Sequence, residues 1–118
     1  MYTPKFTCGN IPKKVRLGDI TVRDGFQHEE FFVPTSAKLW FVEQAIAAGF
    51  KEIELTNFGN PKAIPQFRDC WEVTEGACRL RERAVEKGKI KSVDEIVYTG
   101  VAIDRARNYP IIEAKKAG

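Results

Sequence analysis

The sequence predicts an α/β fold of three strand–helix units built on a parallel sheet. Strand-type segments recur at residues 15–22, 51–58 and 94–101, and a helix-period segment follows each. Gly49 and Gly88 each close a helix a few residues ahead of the next strand, and Gly118 closes a third helix. Strands alternating with helices at this spacing argue βαβ units. Parallel sheets need both faces covered. Helices on one side alone would leave the other face open.

The elements follow in order. Residues 15–22 form the first strand, ending in "ITV", and the chain then runs through "RDGFQHEE". A helix starts at about Thr35, with Thr35 or Ser36 as its cap behind Pro34. Leu39, Val42 and Ile46 keep one face apolar, with Lys38 and Glu43 off that face. Gly49 ends this helix as a residue suited to left-handed backbone. In residues 51–58, Ile53 and Leu55 lie on one side of the strand and Glu52 and Glu54 on the other. After "GNPKAIP" a longer helix runs from about Pro65 to Lys87. Residues 94–101 make the third strand. Asp104 or Asn108 caps a third helix, with Pro110 tolerated in its first turn.

The 118 residues suit one domain. Nineteen basic side chains against 16 acidic give a net charge of +3. That is too mild for a nucleic-acid footprint, and no basic run is interleaved with aromatics. No apolar run approaches the roughly 20 residues that span a membrane. "MYTPKFTCGNIPKK" has no apolar signal core, so a cytoplasmic protein is expected, with neither nucleic acid nor membrane as partner. Cys8, Cys70 and Cys78 are odd in number and contain no CxxC, and are expected as reduced thiols.

The chemistry concentrates at two strand ends. A strand tip usually carries turn residues, yet the first one delivers Arg23 and Asp24 side by side. Glu54 lies opposite Ile53 and Leu55, so it faces away from the helices near the end of its strand. Active sites of parallel barrels sit at that end. Asp24 and Glu54 are one βαβ repeat apart, which adjacent parallel strands would bring together. An aspartate can bind a hard divalent cation, and an arginine can stabilise a developing oxyanion. A glutamate can orient the arginine or handle a proton. Gln27 can donate to a carbonyl or accept from a hydroxyl. The same spacing equally suits a structural Arg–Glu ion pair.

"GDITVRDGFQHE" and "IELTNFGNPKAIPQFRD" together resemble the first two strand ends of the metallolyase superfamily with an Asp-Arg-Glu signature, and within it hydroxymethylglutaryl-CoA lyase. The resemblance covers most of residues 15–69 and, more weakly, the third unit. It implies a partial TIM (β/α)8 barrel, with residues 1–118 as the N-terminal portion of a hydroxymethylglutaryl-CoA lyase-like, pyruvate carboxyltransferase-type domain. "TNFGNP" stands where lyases tend to have "TSFVSP". Related isopropylmalate synthases share Arg-Asp-Gly-x-Gln but usually lack the segment represented by Pro65 and Gln66.

The resemblance also implies roles. Asp24 would be the metal ligand, for Mg²⁺ or Mn²⁺. Arg23 would bind substrate and stabilise the enolate formed when a carbon–carbon bond breaks. Glu54 would hold Arg23, and Gln27 would line the substrate pocket. The substrate implied is a small molecule, an acyl-CoA. The family completes its metal site with a His-x-His pair and an asparagine from later strands, and carries its catalytic cysteine later still. His28 matches no ligand position and is expected in a surface loop. A full barrel takes about 250 residues, so a complementary chain or a homo-oligomer is expected. The alternatives are a Claisen-type acyl-CoA condensing enzyme and a non-catalytic subunit that retains the motif.

Overall fold

The computed structural model describes residues 12–102 and 115–116. Three strands, β1 (Gly18–Asp19), β2 (Glu52–Asn57) and β3 (Val97–Val101), form one parallel sheet in the order β1-β2-β3. Two helices, α1 (Thr35–Ala47) and α2 (Cys70–Glu86), make the crossovers. The fold is α/β as the sequence implied. The expected third helix and Cys8 lie outside the described residues, apart from a helical pair at 115–116.

β1 is shorter than the expected 15–22. Asp19 explains where it stops. Its carboxylate accepts from the Thr21 backbone N–H at 3.1 Å and from the Thr21 hydroxyl at 3.0 Å. Such local side-chain bonds compete with the sheet ladder. The chain then winds into a π-helical turn, Thr21–Gly25, with Asp24 and Gly25 N–H both directed at the Ile20 carbonyl. The Arg-Asp pair therefore sits on this turn rather than on the strand itself.

α1 begins where expected, but neither Thr35 nor Ser36 caps it. Pro34 is the N-cap, and its carbonyl accepts from Ala37 and Lys38 N–H. The Thr35 hydroxyl instead donates to Asp69 at 2.7 Å. Lys38 is not off the apolar face: with Val42, Ala45 and Ile46 it is buried, and only 1% of it is exposed. Gly49 and Gly88 adopt φ of 91° and 66°, the left-handed backbone that ends a helix without a Cβ penalty.

The expected helix from Pro65 to Lys87 is two elements. Pro65–Phe67 is a 3₁₀ turn, and α2 starts only at Cys70. Asp69 is the N-cap residue of α2 but makes no side-chain cap bond, since its carboxylate is held by Lys38 and Thr35. The start of the third strand is likewise a 3₁₀ turn, Val93–Glu95, capped by the Ser92 hydroxyl accepting from Asp94 N–H.

The core lies between the sheet and the helices. Val22, Val42, Ile53, Leu55, Val73, Ala77 and Ile96 are buried there. Burying each larger aliphatic chain is worth about 1.5–3 kcal/mol. Tyr98 joins this side, its hydroxyl donating to the Ala77 carbonyl of α2 at 2.8 Å. Burial pushes its phenol well above the ordinary value. On the opposite face Ile20 and Val97 stay 50% and 42% exposed.

A bulge interrupts the β2–β3 register. Glu54 pairs with Thr99, and Thr56 pairs with Gly100. Bulges insert an extra residue and re-aim the side chains that follow.

Candidate active site

The π-helical turn and the end of β2 meet at one point. Arg23 Nε donates to Glu54 Oε1, and Arg23 Nη1 pairs with Asp24 Oδ1 at 2.8 Å. The three expected side chains therefore cluster at the C-terminal ends of two adjacent parallel strands. Arg23 and Glu54 are mostly shielded, with 19% and 22% of their side chains exposed, whereas the Asp24 side chain is 45% exposed.

The geometry constrains what each can do. Nε and Nη1 are engaged, so the guanidinium is fixed in plane, and among the described residues Nη2 has no acceptor. Asp24 keeps Oδ2 without a hydrogen bond or ion pair. A hard, half-exposed carboxylate oxygen fits a divalent cation as one ligand. Among the described residues no group of three or more His, Cys, Asp or Glu could hold a metal. Glu54 faces away from the helices, as its alternation with Ile53 and Leu55 implied.

Gln27 does not join the cluster by any contact. It is exposed, and lines a depression of about 340 Å³ with Glu29, Glu30, Phe32, Ile64 and Gln66. His28 is exposed in the loop beyond the turn, as expected. Cys70 is a buried free thiol, and burial pushes it upward.

A buried network under this depression was not anticipated. Lys38 Nζ donates to Asp69 Oδ1 at 2.7 Å and to the Gln66 carbonyl at 2.5 Å. It also sits 4.5 Å from the Phe32 ring centroid, and the Arg68 guanidinium stacks on the same ring at 3.7 Å. The Gln66 carboxamide accepts from Val33 N–H at 2.8 Å and donates to the Phe31 carbonyl at 3.0 Å. Together these tie the loop after the Arg-Asp turn to the loop after β2. The signal was in the sequence: Lys38 lies at helical spacing from Val42, Ala45 and Ile46.

Comparison with known proteins bears on this cluster. No protein-family model matches the chain. Hydroxymethylglutaryl-CoA lyase of rat mitochondria is 38% identical over 70 residues, 59% of this chain and 22% of that protein. The crystal structure of the Pseudomonas aeruginosa hydroxymethylglutaryl-CoA lyase superposes with a TM-score of 0.69 at 29% identity, covering 91% of this chain and 30% of that one. Over the matched stretch the chain is similar to hydroxymethylglutaryl-CoA lyases. Its three strands and their crossovers are a partial TIM barrel of the lyase type. A lyase of Acinetobacter baumannii, solved with coenzyme A and 3-methylmalate, superposes with a TM-score of 0.64 at 31% identity over 85% of this chain and 28% of that one. The chain thus spans under a third of the length of the lyases it matches.

Proposed function

We propose that this chain supplies the Arg-Asp-Glu corner of a divalent-metal-dependent carbon–carbon lyase that acts on a hydroxyacyl-CoA or a related hydroxy or oxo acid. The observation that carries this reading is the Arg23 guanidinium held between Asp24 and Glu54 at two neighbouring strand ends. Similarity to named lyases over much of the chain supports the same reading.

The roles follow from the geometry. Arg23 binds substrate oxygen through Nη2 and stabilises the enolate left when the carbon–carbon bond breaks; a fixed donor pays no reorganisation cost at that moment. Glu54 holds the guanidinium plane. Asp24 would hold a Mg²⁺ or Mn²⁺ ion, which as a Lewis acid polarises the hydroxyl and carbonyl oxygens of substrate. Gln27 would reach substrate from its own depression, which none of Arg23, Asp24 and Glu54 lines.

A partner surface is part of the proposal. Residues 1–118 form one portion of a barrel domain. Among the described residues β3 is an open sheet edge, and Ile20 and Val97 are exposed on the helix-free face. Open edges and apolar faces favour pairing with another chain. The occupant is a complementary chain or a further copy of this one. No described helix is long and apolar enough to cross a membrane.

The deciding experiment assays hydroxyacyl-CoA cleavage with added Mg²⁺ or Mn²⁺, for the isolated chain and for its native assembly, with sedimentation in parallel. Activity is expected only in the assembly. Arg23→Lys should keep metal binding and lose rate, because lysine keeps the charge but not the planar fork. An assembly that cleaves no hydroxyacyl-CoA overturns the function, and a monomer that cleaves it alone overturns the partner.

A further inference from the structure

The helix-free face of the sheet carries a nearly buried amide that the Arg23 cluster does not use. Asn57 ends β2 and is 5% exposed. Its direction follows from the register. Tyr98 points at the helices, with its hydroxyl on the Ala77 carbonyl, so Val97, Thr99 and Val101 take the opposite face. Glu54 pairs with Thr99, and Asn57 pairs with Val101. Residues in parallel register share a face, so Asn57 and Glu54 point the same way. In a regular strand their odd separation would put them on opposite faces. The bulge between Glu54 and Thr56 turns Asn57 to the side of the cluster. Phe58 then falls back on the helix side, its ring 4.9 Å from that of Trp71.

The carboxamide is already oriented. Asn57 Oδ1 accepts from Gly59 N–H at 2.8 Å, which fixes the oxygen and leaves Nδ2 without a hydrogen-bond partner. Nδ2 keeps some access to solvent, since the fully buried unpaired side-chain atoms among the described residues are Thr56 Oγ1 and Arg81 Nε. A nearly buried side chain with one end pinned and a free donor at the other is prepared for an acceptor. Charge narrows the choice of acceptor. Glu52 shares this face through its pairing with Val97, so Glu52, Glu54 and Asp24 outnumber Arg23. A second carboxylate is disfavoured there, whereas a neutral oxygen meets no such repulsion.

We propose that Asn57 is a specificity-determining residue of the Arg23 site, donating through Nδ2 to a neutral oxygen, the hydroxyl or carbonyl, of a hydroxy- or oxoacyl substrate. This rests on the lyase reading given above. Asn57 selects substrates that carry this oxygen over analogues that lack it, because a donor that the bound ligand shuts off from water and leaves unmatched is costly.

The test measures binding in the native assembly with Mg²⁺, by calorimetry, for 3-methylmalate and for its deshydroxy analogue methylsuccinate. Wild type, Asn57→Asp, Asn57→Leu and Arg23→Lys are compared. Asn57→Asp keeps an oxygen for Gly59 N–H and loses the Nδ2 donor, so it separates the contact from the turn. Wild type is expected to prefer the hydroxy acid by about tenfold, the size of one net hydrogen bond. Asn57→Asp and Asn57→Leu should narrow that preference, and Asn57→Leu should bind methylsuccinate more tightly than wild type because no donor is left unmatched. An unchanged preference in Asn57→Asp, with binding still lost in Arg23→Lys, overturns the role of Asn57 and leaves the lyase reading standing. Failure of wild type to bind either acid overturns both.

Discussion

Replacing Lys38 with methionine removes a cation that touches Asp69, the Gln66 carbonyl and the Phe32 ring at once. Lys38 and Asp69 have only 1% and 8% of their side chains exposed, so water cannot stand in for the lost partner. Removing one member of a buried pair strands the other, at a cost of about 3–5 kcal/mol. Domain stabilities run at about 5–15 kcal/mol, so this single change should take a large share of the margin. The double variant Lys38→Met with Asp69→Leu should recover most of it, since apolar replacement of both partners is often neutral or better. The Thr35 hydroxyl, which donates to Asp69, sets a small residual loss. Urea unfolding followed by circular dichroism reads all three proteins. Hydrogen exchange should show faster amides at 31–33, 64 and 66–69 in the single variant. A single variant within about 1 kcal/mol of wild type would put the pair in the class of solvated surface contacts and refute the reasoning.

Three further outcomes are expected. Asp24→Ala should abolish divalent-metal binding in the active assembly; equal affinity in a calorimetric titration would remove Asp24 from the metal site. Glu95 has its carboxyl held below the usual range by Lys91 N–H and by the Lys51 ammonium. Its contribution is therefore present above the ordinary carboxylate value and lost as pH falls through the lowered one; an NMR midpoint at or above the ordinary value contradicts this. Cys70, whose thiol burial pushes upward, should alkylate far more slowly than a free thiol at neutral pH; rapid labelling in folded protein would show that α2 opens there.

The order of elements and the meeting of Arg23, Asp24 and Glu54 were legible in the sequence because both rest on simple periods. Alternation aimed Glu54 away from the helices, and one βαβ repeat carried it beside Arg23. What escaped depends on side chains that displace backbone roles. Asp19 ended β1 early by binding Thr21, and Asp69 gave its carboxylate to Lys38 instead of capping α2. Lys38 was assigned to solvent by its charge although its spacing put it with Val42 and Ile46. The facing of Asn57 was beyond the reach of alternation, because a bulge breaks the period of two at the residue where it matters.

Among the described residues the helices cover one side of the sheet, and this has a calorimetric consequence. The heat-capacity step of unfolding scales with newly hydrated apolar surface, at about 12–15 cal/mol/K per residue for ordinary domains. Here Ile20 and Val97 already meet water in the folded chain, so their unfolding adds little to that step. A lone chain should therefore show a smaller step and a shallower denaturant slope than its length suggests. Its stability curve should be flat, varying little between cold and warm conditions. Covering the open face would restore the curvature, so the shape of a melting curve reports whether that face is occupied.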